Sequence, residues 1–74
     1  MVPKPKVDLI AIGARTKRLR ADVRQDELSD YLGVSQGHLS KIERGKIAPS
    51  LDMLLMMSVK FHQTLDWIIR GDGG

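Results

Sequence analysis

The sequence lacks cysteine altogether and holds only three aromatic residues, one each of Trp, Tyr and Phe. Without cysteine the chain has no disulfide bonds, no thiolate metal ligands and no cysteine nucleophile, a composition typical of a reducing compartment. It also lacks any apolar run near the roughly 18 residues that cross a membrane, and its first residues include no apolar signal segment. We therefore expect a cytoplasmic protein that does not enter a membrane.

Signals for catalysis are equally scarce. The two histidines, His38 and His62, are 24 positions apart and fit no metal-ligand or catalytic-triad spacing. None of the five serines stands beside a recognisable base, and the glycines do not form a phosphate-binding loop. We expect no enzyme activity, no cofactor and no metal site.

What is present is the composition of one small folded domain. The 74 residues are 42% hydrophobic and 28% charged, which is enough for a single core and too little for two. The net charge of +3 is unevenly placed, because residues 1–46 hold ten Lys or Arg against six Asp or Glu, and residues 47–74 hold two against three. The first part of the chain is therefore the candidate for binding an anionic partner.

Glycine and proline divide the chain into five segments with helical periodicity, and no segment shows the periodicity of a strand. We expect helices over about 9–21, 24–32 and 36–44, a fourth helix after Ser50 and a short fifth from Thr64. Residues 1–8 predict a flexible basic arm, because two prolines keep this segment out of a helix, and residues 72–74 predict a short tail. Residues 9–71 then form one domain.

Capping residues mark several of these boundaries. Asp8 and Ser35 can accept hydrogen bonds from the free amides of the first and third helices, and Gly33 can end the second helix in the left-handed conformation. Arg24, which cannot accept such bonds, stands at the start of the second helix. In the alternative, Asp22 caps the second helix and forms a capping box with Gln25, three residues later.

The apolar residues also predict which helix faces point inward. In the second and third helices these residues are Leu28, Tyr31, Leu32, Leu39 and Ile42. The first helix carries two overlapping rows, Leu9/Ile12/Thr16/Leu19 and Ile10/Ala14/Ala21. The rotation of the first helix is therefore open.

The second and third helices, with the turn between them, span residues 25–44, the size of a helix-turn-helix. The chain carries Arg18, QDEL at 25–28, LGVS at 32–35, LSKIERGK at 39–46, PSL at 49–51 and LDWIIRG at 65–71. In order and spacing these motifs resemble the Cro and phage-repressor, or Xre-type, DNA-binding family over residues 9–71. The resemblance implies an all-α, compact five-helix, phage-repressor-like domain.

The resemblance also implies how the domain binds double-stranded DNA. In such domains the third helix lies in the major groove, which here gives base-reading roles to Gln36, Gly37, His38, Ser40 and Lys41. The phosphate contacts are assigned to Gln25, Arg18, Arg24, Arg44 and Lys46. This face lacks the aromatic residues that stack on unpaired bases, which argues against RNA as the partner.

A structural ion pair between the first and third helices is implied as well. The resemblance places Arg18 opposite Glu43, so that Arg18 joins the two helices and still partly faces a phosphate. Arg20 is the alternative partner of Glu43 if the first helix adopts its other rotation.

One copy of the domain supplies few base contacts. Each good bidentate contact contributes about 1–3 kcal/mol, whereas specific sites exceed non-specific DNA by about 4–10 kcal/mol. We therefore expect a homodimer that reads two half-sites. Trp67, Ile68 and Ile69 are crowded into the last helix. Together with part of the fourth helix they form the predicted surface for this dimer or for a protein partner.

The predicted function is a sequence-specific transcriptional regulator. It acts most simply as a repressor, because a domain that only reads DNA can occupy a promoter. The alternative is an antitoxin-like or adaptor protein that mainly binds a protein partner and uses DNA binding for autoregulation.

Overall fold

A computed structural model describes residues 2 and 4–71 and places them in five helices. Helix α1 spans Leu9–Arg20, α2 Gln25–Leu32, α3 Gln36–Glu43, α4 Leu51–Phe61 and α5 Leu65–Arg70. No strand occurs in this part of the chain. The all-α, five-helix architecture is confirmed, and the predicted bounds of α1, α2 and α3 each lie within one residue of the observed ones.

Side-chain oxygens cap the starts of four helices. Asp8, Ser35, Ser50 and Thr64 each accept a hydrogen bond from a backbone amide of the following turn, at 3.0–3.1 Å. Each cap satisfies an amide that has no partner within the helix and contributes about 1 kcal/mol. Helix α2 ends at Gly33 with φ 74, the left-handed conformation expected there.

Helix α2 starts without a side-chain cap. Its N-cap residue is Arg24, which makes no capping hydrogen bond. The side chain of Gln25 is bonded to two residues of α3, so the alternative capping box with Asp22 is not formed. Asp26 and Glu27 in the first turn instead provide the negative charge that a helix N-terminus favours.

The core takes one face from each helix. Its buried apolar residues are Ile12, Leu28, Leu32, Leu39, Ile42, Met53, Leu54, Met57 and Ile68. Helix α1 uses the first of its two predicted rows, since Ile12 and Thr16 are buried while Ile10 is 72% exposed.

The prediction that Tyr31 faces inward is wrong. This residue is 41% exposed, and its hydroxyl lies 3.5 Å from the backbone carbonyl oxygen of Met56 in α4. Leu28 and Leu32, four residues apart, already fill the inner face of α2. Tyr31 therefore lies at the edge between α2 and α4.

Helix α1 positions both α3 and α5. A Cβ atom on Gly13 would collide with the carbonyl oxygens of Ile42 and Glu43, so α1 and α3 approach more closely than an alanine allows. Arg15 donates from Nε to the carbonyl oxygen of Ile68 and from Nη2 to that of Ile69, both at 2.8 Å. These two bonds satisfy carbonyl groups at the end of α5 that have no partner within the helix.

The structure describes most of the segment before the first helix and none of the predicted tail. Residues 2 and 4–8 are exposed and precede α1 without regular secondary structure, while the predicted tail, 72–74, lies outside the described residues. The flexibility of the arm stays a prediction. Within the described residues, no helix combines the length and apolar character needed to cross a membrane.

Candidate nucleic-acid interface

Helices α2 and α3 form a helix-turn-helix that turns one polar face of α3 outward. Residues 33–35 join the two helices. Leu39 and Ile42 are 0% and 1% exposed, and these two contacts with the core fix the inner face of α3. The outer face carries no acidic residue between Gln36 and Lys41, which suits it to an anionic partner.

Four of the five predicted base-reading residues lie on this outer face. Gln36, Gly37, His38 and Lys41 are exposed, and Ser40 is half-buried. A Cβ atom on Gly37 would meet nothing within 4 Å, so packing within the chain does not require glycine there. Gly37 leaves bare backbone at the start of α3, where another molecule can approach closely.

A chain of side-chain hydrogen bonds leads from the buried side of the motif to its exposed end. Arg20 donates to the Glu43 carboxylate from Nε at 2.7 Å and from Nη2 at 3.1 Å. Gln25 Nε2 donates to Oε1 of the same carboxylate at 3.2 Å. Gln36 Nε2 then donates to Gln25 Oε1, also at 3.2 Å. The chain therefore joins α1, α2 and both ends of α3.

The chemistry of the groups sets the direction of these bonds. An ionised carboxylate only accepts, so Glu43 takes the NH₂ side of the Gln25 amide and directs its oxygen towards Gln36. Gln36 must then use one amide hydrogen for Gln25. Its carbonyl oxygen and its second amide hydrogen remain for a ligand, and this donor and acceptor pair matches the N7 and N6 edge of adenine.

The implied Arg18–Glu43 ion pair is wrong, and the alternative with Arg20 is the one formed. The side chains of Arg20 and Glu43 are only 16% and 5% exposed. The hydrogen bond to Glu43 raises the pKa of the Arg20 guanidinium, although burial acts in the opposite direction. Arg20 follows the buried Thr16 by four residues and so lies on the same side of α1. Arg18 lies on the other flank, with its guanidinium carbon 5.8 Å from the centre of the Trp67 ring.

The predicted phosphate-binding cations fall into separate groups. Arg44 and Lys46 are exposed at the end of α3, and Arg24 is exposed at the start of α2. Arg24 forms an ion pair with Asp26 at 2.6 Å, and this bond raises the pKa of Arg24 and lowers that of Asp26. Because both groups are exposed, the pair is weak and a phosphate can replace Asp26. Arg18 contacts α5 and does not join the cluster around Gln25.

The predicted partner surface on α5 needs correction. Ile68 is 0% exposed and belongs to the buried core cluster, so it is not available to a partner. Trp67 and Ile69 are half-buried and pack against the same core. The part of the fourth helix that was predicted to share the partner surface exposes Leu51, Leu55 and Val59, at 82%, 56% and 64%.

Sequence reasoning missed one hydrogen bond of this region. The Gln25–Glu43 bond joins residues 18 positions apart, and no local pattern connects them.

Comparisons with known proteins agree with this geometry. A family model described as helix-turn-helix, HTH_3, matches residues 15–68. The structure of the P22 c2 repressor bound to a synthetic operator is 30% identical, with a TM-score of 0.74 over 82% of this chain and 96% of that one. The clp gene regulator ClgR from Corynebacterium glutamicum is 31% identical, with a TM-score of 0.73 over 89% of this chain and 71% of that one.

A third structure shows the same fold at lower identity. The restriction-modification controller protein C.AhdI from Aeromonas hydrophila is 23% identical, with a TM-score of 0.72 over 84% of this chain and 97% of that one. No curated protein sequence matches the chain significantly. The family model covers most of the chain and includes α2, the turn and α3 in full, so the chain belongs to the helix-turn-helix family HTH_3, of the Cro and Xre type.

Proposed function

We propose that this protein is a DNA-binding transcriptional regulator whose helix α3 reads base edges in the major groove. The observation that carries the proposal is the bond from Gln36 to Gln25, which holds a donor and acceptor pair at the exposed start of α3. A buried carboxylate, Glu43, supports that bond from behind. A side chain held in this way loses little conformational freedom when it binds a base.

Each of the five predicted base-reading residues of α3 has a role in the groove. Gln36 pairs with adenine, and Lys41 reaches the O6 and N7 acceptors of guanine. Ser40 and His38 bond to bases with less preference. Gly37 lets the start of α3 come close to the DNA. Two or three such contacts give one copy a modest ability to distinguish sequences.

The cations around α3 supply the remaining affinity. Arg24 lies before α2, and Arg44 and Lys46 follow α3, so positive charge stands at both ends of the motif. Gln25 and the free amides at the start of α2 add neutral donors for a phosphate. These contacts position the protein on the DNA and make its affinity depend on salt, but they do not distinguish one DNA sequence from another.

The related structures favour regulation over catalysis. One relative is a repressor solved with an operator, and another is a gene regulator. By the same comparison we assign this chain a repressor role, exerted by a homodimer on two half-sites.

Selection from random duplex DNA tests the proposal. The purified protein is incubated with a random duplex library at about 0.15 M salt, and the bound fraction is sequenced. We expect an inverted repeat whose half-site centres are about 10 base pairs apart, with an adenine that Gln36→Ala no longer selects. A library that stays unenriched would overturn the proposal.

A further inference from the structure

A cleft of about 620 Å³ lies where the segment before α1 meets α1 and α5. Its lining comes from residues 5–8, from Ala11 and Arg15 of α1, and from Ile69 and Arg70 of α5. A cleft of this size can hold a small molecule. None of these residues belongs to the proposed DNA interface, so the cleft is a separate feature of the molecule.

The charge of the cleft favours an anion. Three cationic side chains, Lys6, Arg15 and Arg70, line it together with one carboxylate, Asp8, so the lining side chains carry a net charge of +2. Asp8 Oδ1 already accepts the capping hydrogen bond from the backbone amide of Ala11. An anionic group is therefore attracted to this cleft, and a cationic group is repelled.

Arg15 is held in a fixed orientation at the cleft. Its Nε and Nη2 atoms donate to the carbonyl oxygens of Ile68 and Ile69, which uses two of the five N–H donors of a guanidinium. Nη1 lies beside Gly71, where a Cβ atom would stand only 3.0 Å from it. A guanidinium forms strong charge-assisted bonds with a carboxylate, and a side chain already fixed in place loses little conformational freedom when it does so.

An apolar recess of about 240 Å³ adjoins the cleft. Val7 and Ile69 line both cavities. The other residues that line the recess are all apolar, among them Leu9, Pro49 and Leu51. Val7 and Ile69 thus stand between a cationic cleft and an apolar recess.

We propose that the cleft and the recess together form a binding site for a small amphipathic carboxylate, such as a medium-chain fatty acid. The carboxylate binds at the cationic cleft, against Arg15, and the hydrocarbon chain passes Val7 and Ile69 into the recess. Charge complementarity selects the head group, and burial of apolar surface selects the chain. This site lies outside the proposed function, and its test needs no DNA.

Titration of the isotope-labelled chain with sodium octanoate, at neutral pH and below the concentration at which micelles form, tests the site. We expect the backbone amide signals of Val7, Ala11 and Ile69 to shift together and to saturate in proton–nitrogen NMR spectra. Butyrate should bind at least about tenfold more weakly, because each methylene group that leaves water improves affinity by up to about fourfold. Octylammonium, which has the same chain and the opposite charge, should also bind at least about tenfold more weakly.

Four substitutions before α1 give matched comparisons. Val7→Asp places a carboxylate between the two cavities and should weaken octanoate binding by at least about tenfold. Val2→Asp is its control, since Val2 is 88% exposed and lines neither cavity. Lys6→Gln should weaken binding by about threefold, the effect of one exposed charge. Lys4→Gln removes an exposed charge from the same segment, outside the lining, and should leave binding unchanged.

Three results would overturn the proposal. Octanoate that shifts none of these signals would show that the cavities do not bind such an acid. Shifts centred on Leu55 and Val59, which are exposed on α4, would show that the acid only coats apolar surface. Equal affinities for octanoate and octylammonium would show that Lys6, Arg15 and Arg70 do not select the head group.

Discussion

Gln36 donates a hydrogen bond to Gln25 across 3.2 Å, from the first residue of α3 to the first residue of α2. This bond joins the two helices of the motif at their exposed ends, while Leu28 and Leu39 join them in the core. The carboxylate of Glu43 fixes the orientation of the Gln25 amide. The exposed side chain of Gln36 is thus oriented, through Gln25, by a residue at the far end of its own helix.

Replacing Gln25 tests whether this orientation matters for specificity. Gln25→Met keeps the volume and leaves the Arg20–Glu43 pair intact, but frees the Gln36 amide to rotate. We expect discrimination at the base pair read by Gln36 to fall by up to about 1 kcal/mol per half-site. Fluorescence anisotropy with duplexes that differ at that base pair measures the ratio of affinities.

The phosphate contact proposed for Gln25 provides an internal comparison in the same experiment. That loss weakens binding to every duplex equally, because phosphates carry no sequence information. An equal loss on all duplexes, with unchanged discrimination, would show that Gln25 does not orient Gln36.

Arg20 and Arg18 of α1 should contribute very different amounts to the free energy of unfolding. Arg20→Met should lower the free energy of unfolding by about 3 kcal/mol, because it leaves the Glu43 carboxylate buried without its charged partner. Arg18→Met should cost only about 0.5 kcal/mol, the contribution of an exposed contact with the Trp67 ring. Urea unfolding followed by circular dichroism measures both. A larger loss for Arg18→Met would restore Arg18 as the structural residue.

Two glycines differ in the space around them. Gly13→Ala should destabilise the fold by about 1–3 kcal/mol, because the added methyl group pushes α1 away from α3. Gly37→Ala should instead stabilise it by about 0.5–1 kcal/mol, since Gly37 lies in a helix and has open space beside it.

The affinity for DNA gives a second measurement for Gly37→Ala. Gly37→Ala should bind the selected duplex less tightly than the wild-type chain despite its greater stability, because the methyl group stands where the DNA approaches. Unchanged affinity would place the start of α3 away from the groove.

The ion pair of Asp26 with Arg24 predicts a dependence of stability on pH. The hydrogen bond from Arg24 lowers the pKa of Asp26 in the folded state. A lowered folded-state pKa stabilises the fold above the ordinary carboxyl pKa, and this contribution disappears as pH falls through the lowered value. Asp26→Asn should therefore make the acid limb of the stability curve shallower. Urea unfolding midpoints of the wild-type chain and of Asp26→Asn, measured from about pH 2 to pH 6, test this. Midpoints that fall in parallel for the two proteins as pH decreases would contradict it.

Local signals were enough to predict the helices. The caps at Asp8 and Ser35 and the left-handed Gly33 act within a few residues, so the sequence displays them directly. The outer face of α3 followed from the spacing of Leu39 and Ile42. The same reasoning predicted the exposed polar residues of the candidate interface.

Contacts between helices could not be predicted in the same way. Whether Arg18 or Arg20 meets Glu43 depends on the rotation of α1, which two overlapping apolar rows left open. Hydrophobicity alone led to the prediction that Tyr31 faces inward and that Ile68 belongs to a partner surface. The exposure of each residue depends instead on which neighbouring side chains fill the core. Glu43 meets Gln25 only because α1, α2 and α3 converge there.

The most direct test of the central claim is a base-substitution scan of the selected duplex with the wild-type chain and Gln36→Ala. Affinities are measured for every single base-pair change in one half-site, at fixed salt. We predict that Gln36→Ala loses discrimination at one adenine-containing base pair and keeps it elsewhere, with an unchanged salt dependence. Equal discrimination by both proteins at every position would show that α3 does not read DNA through Gln36.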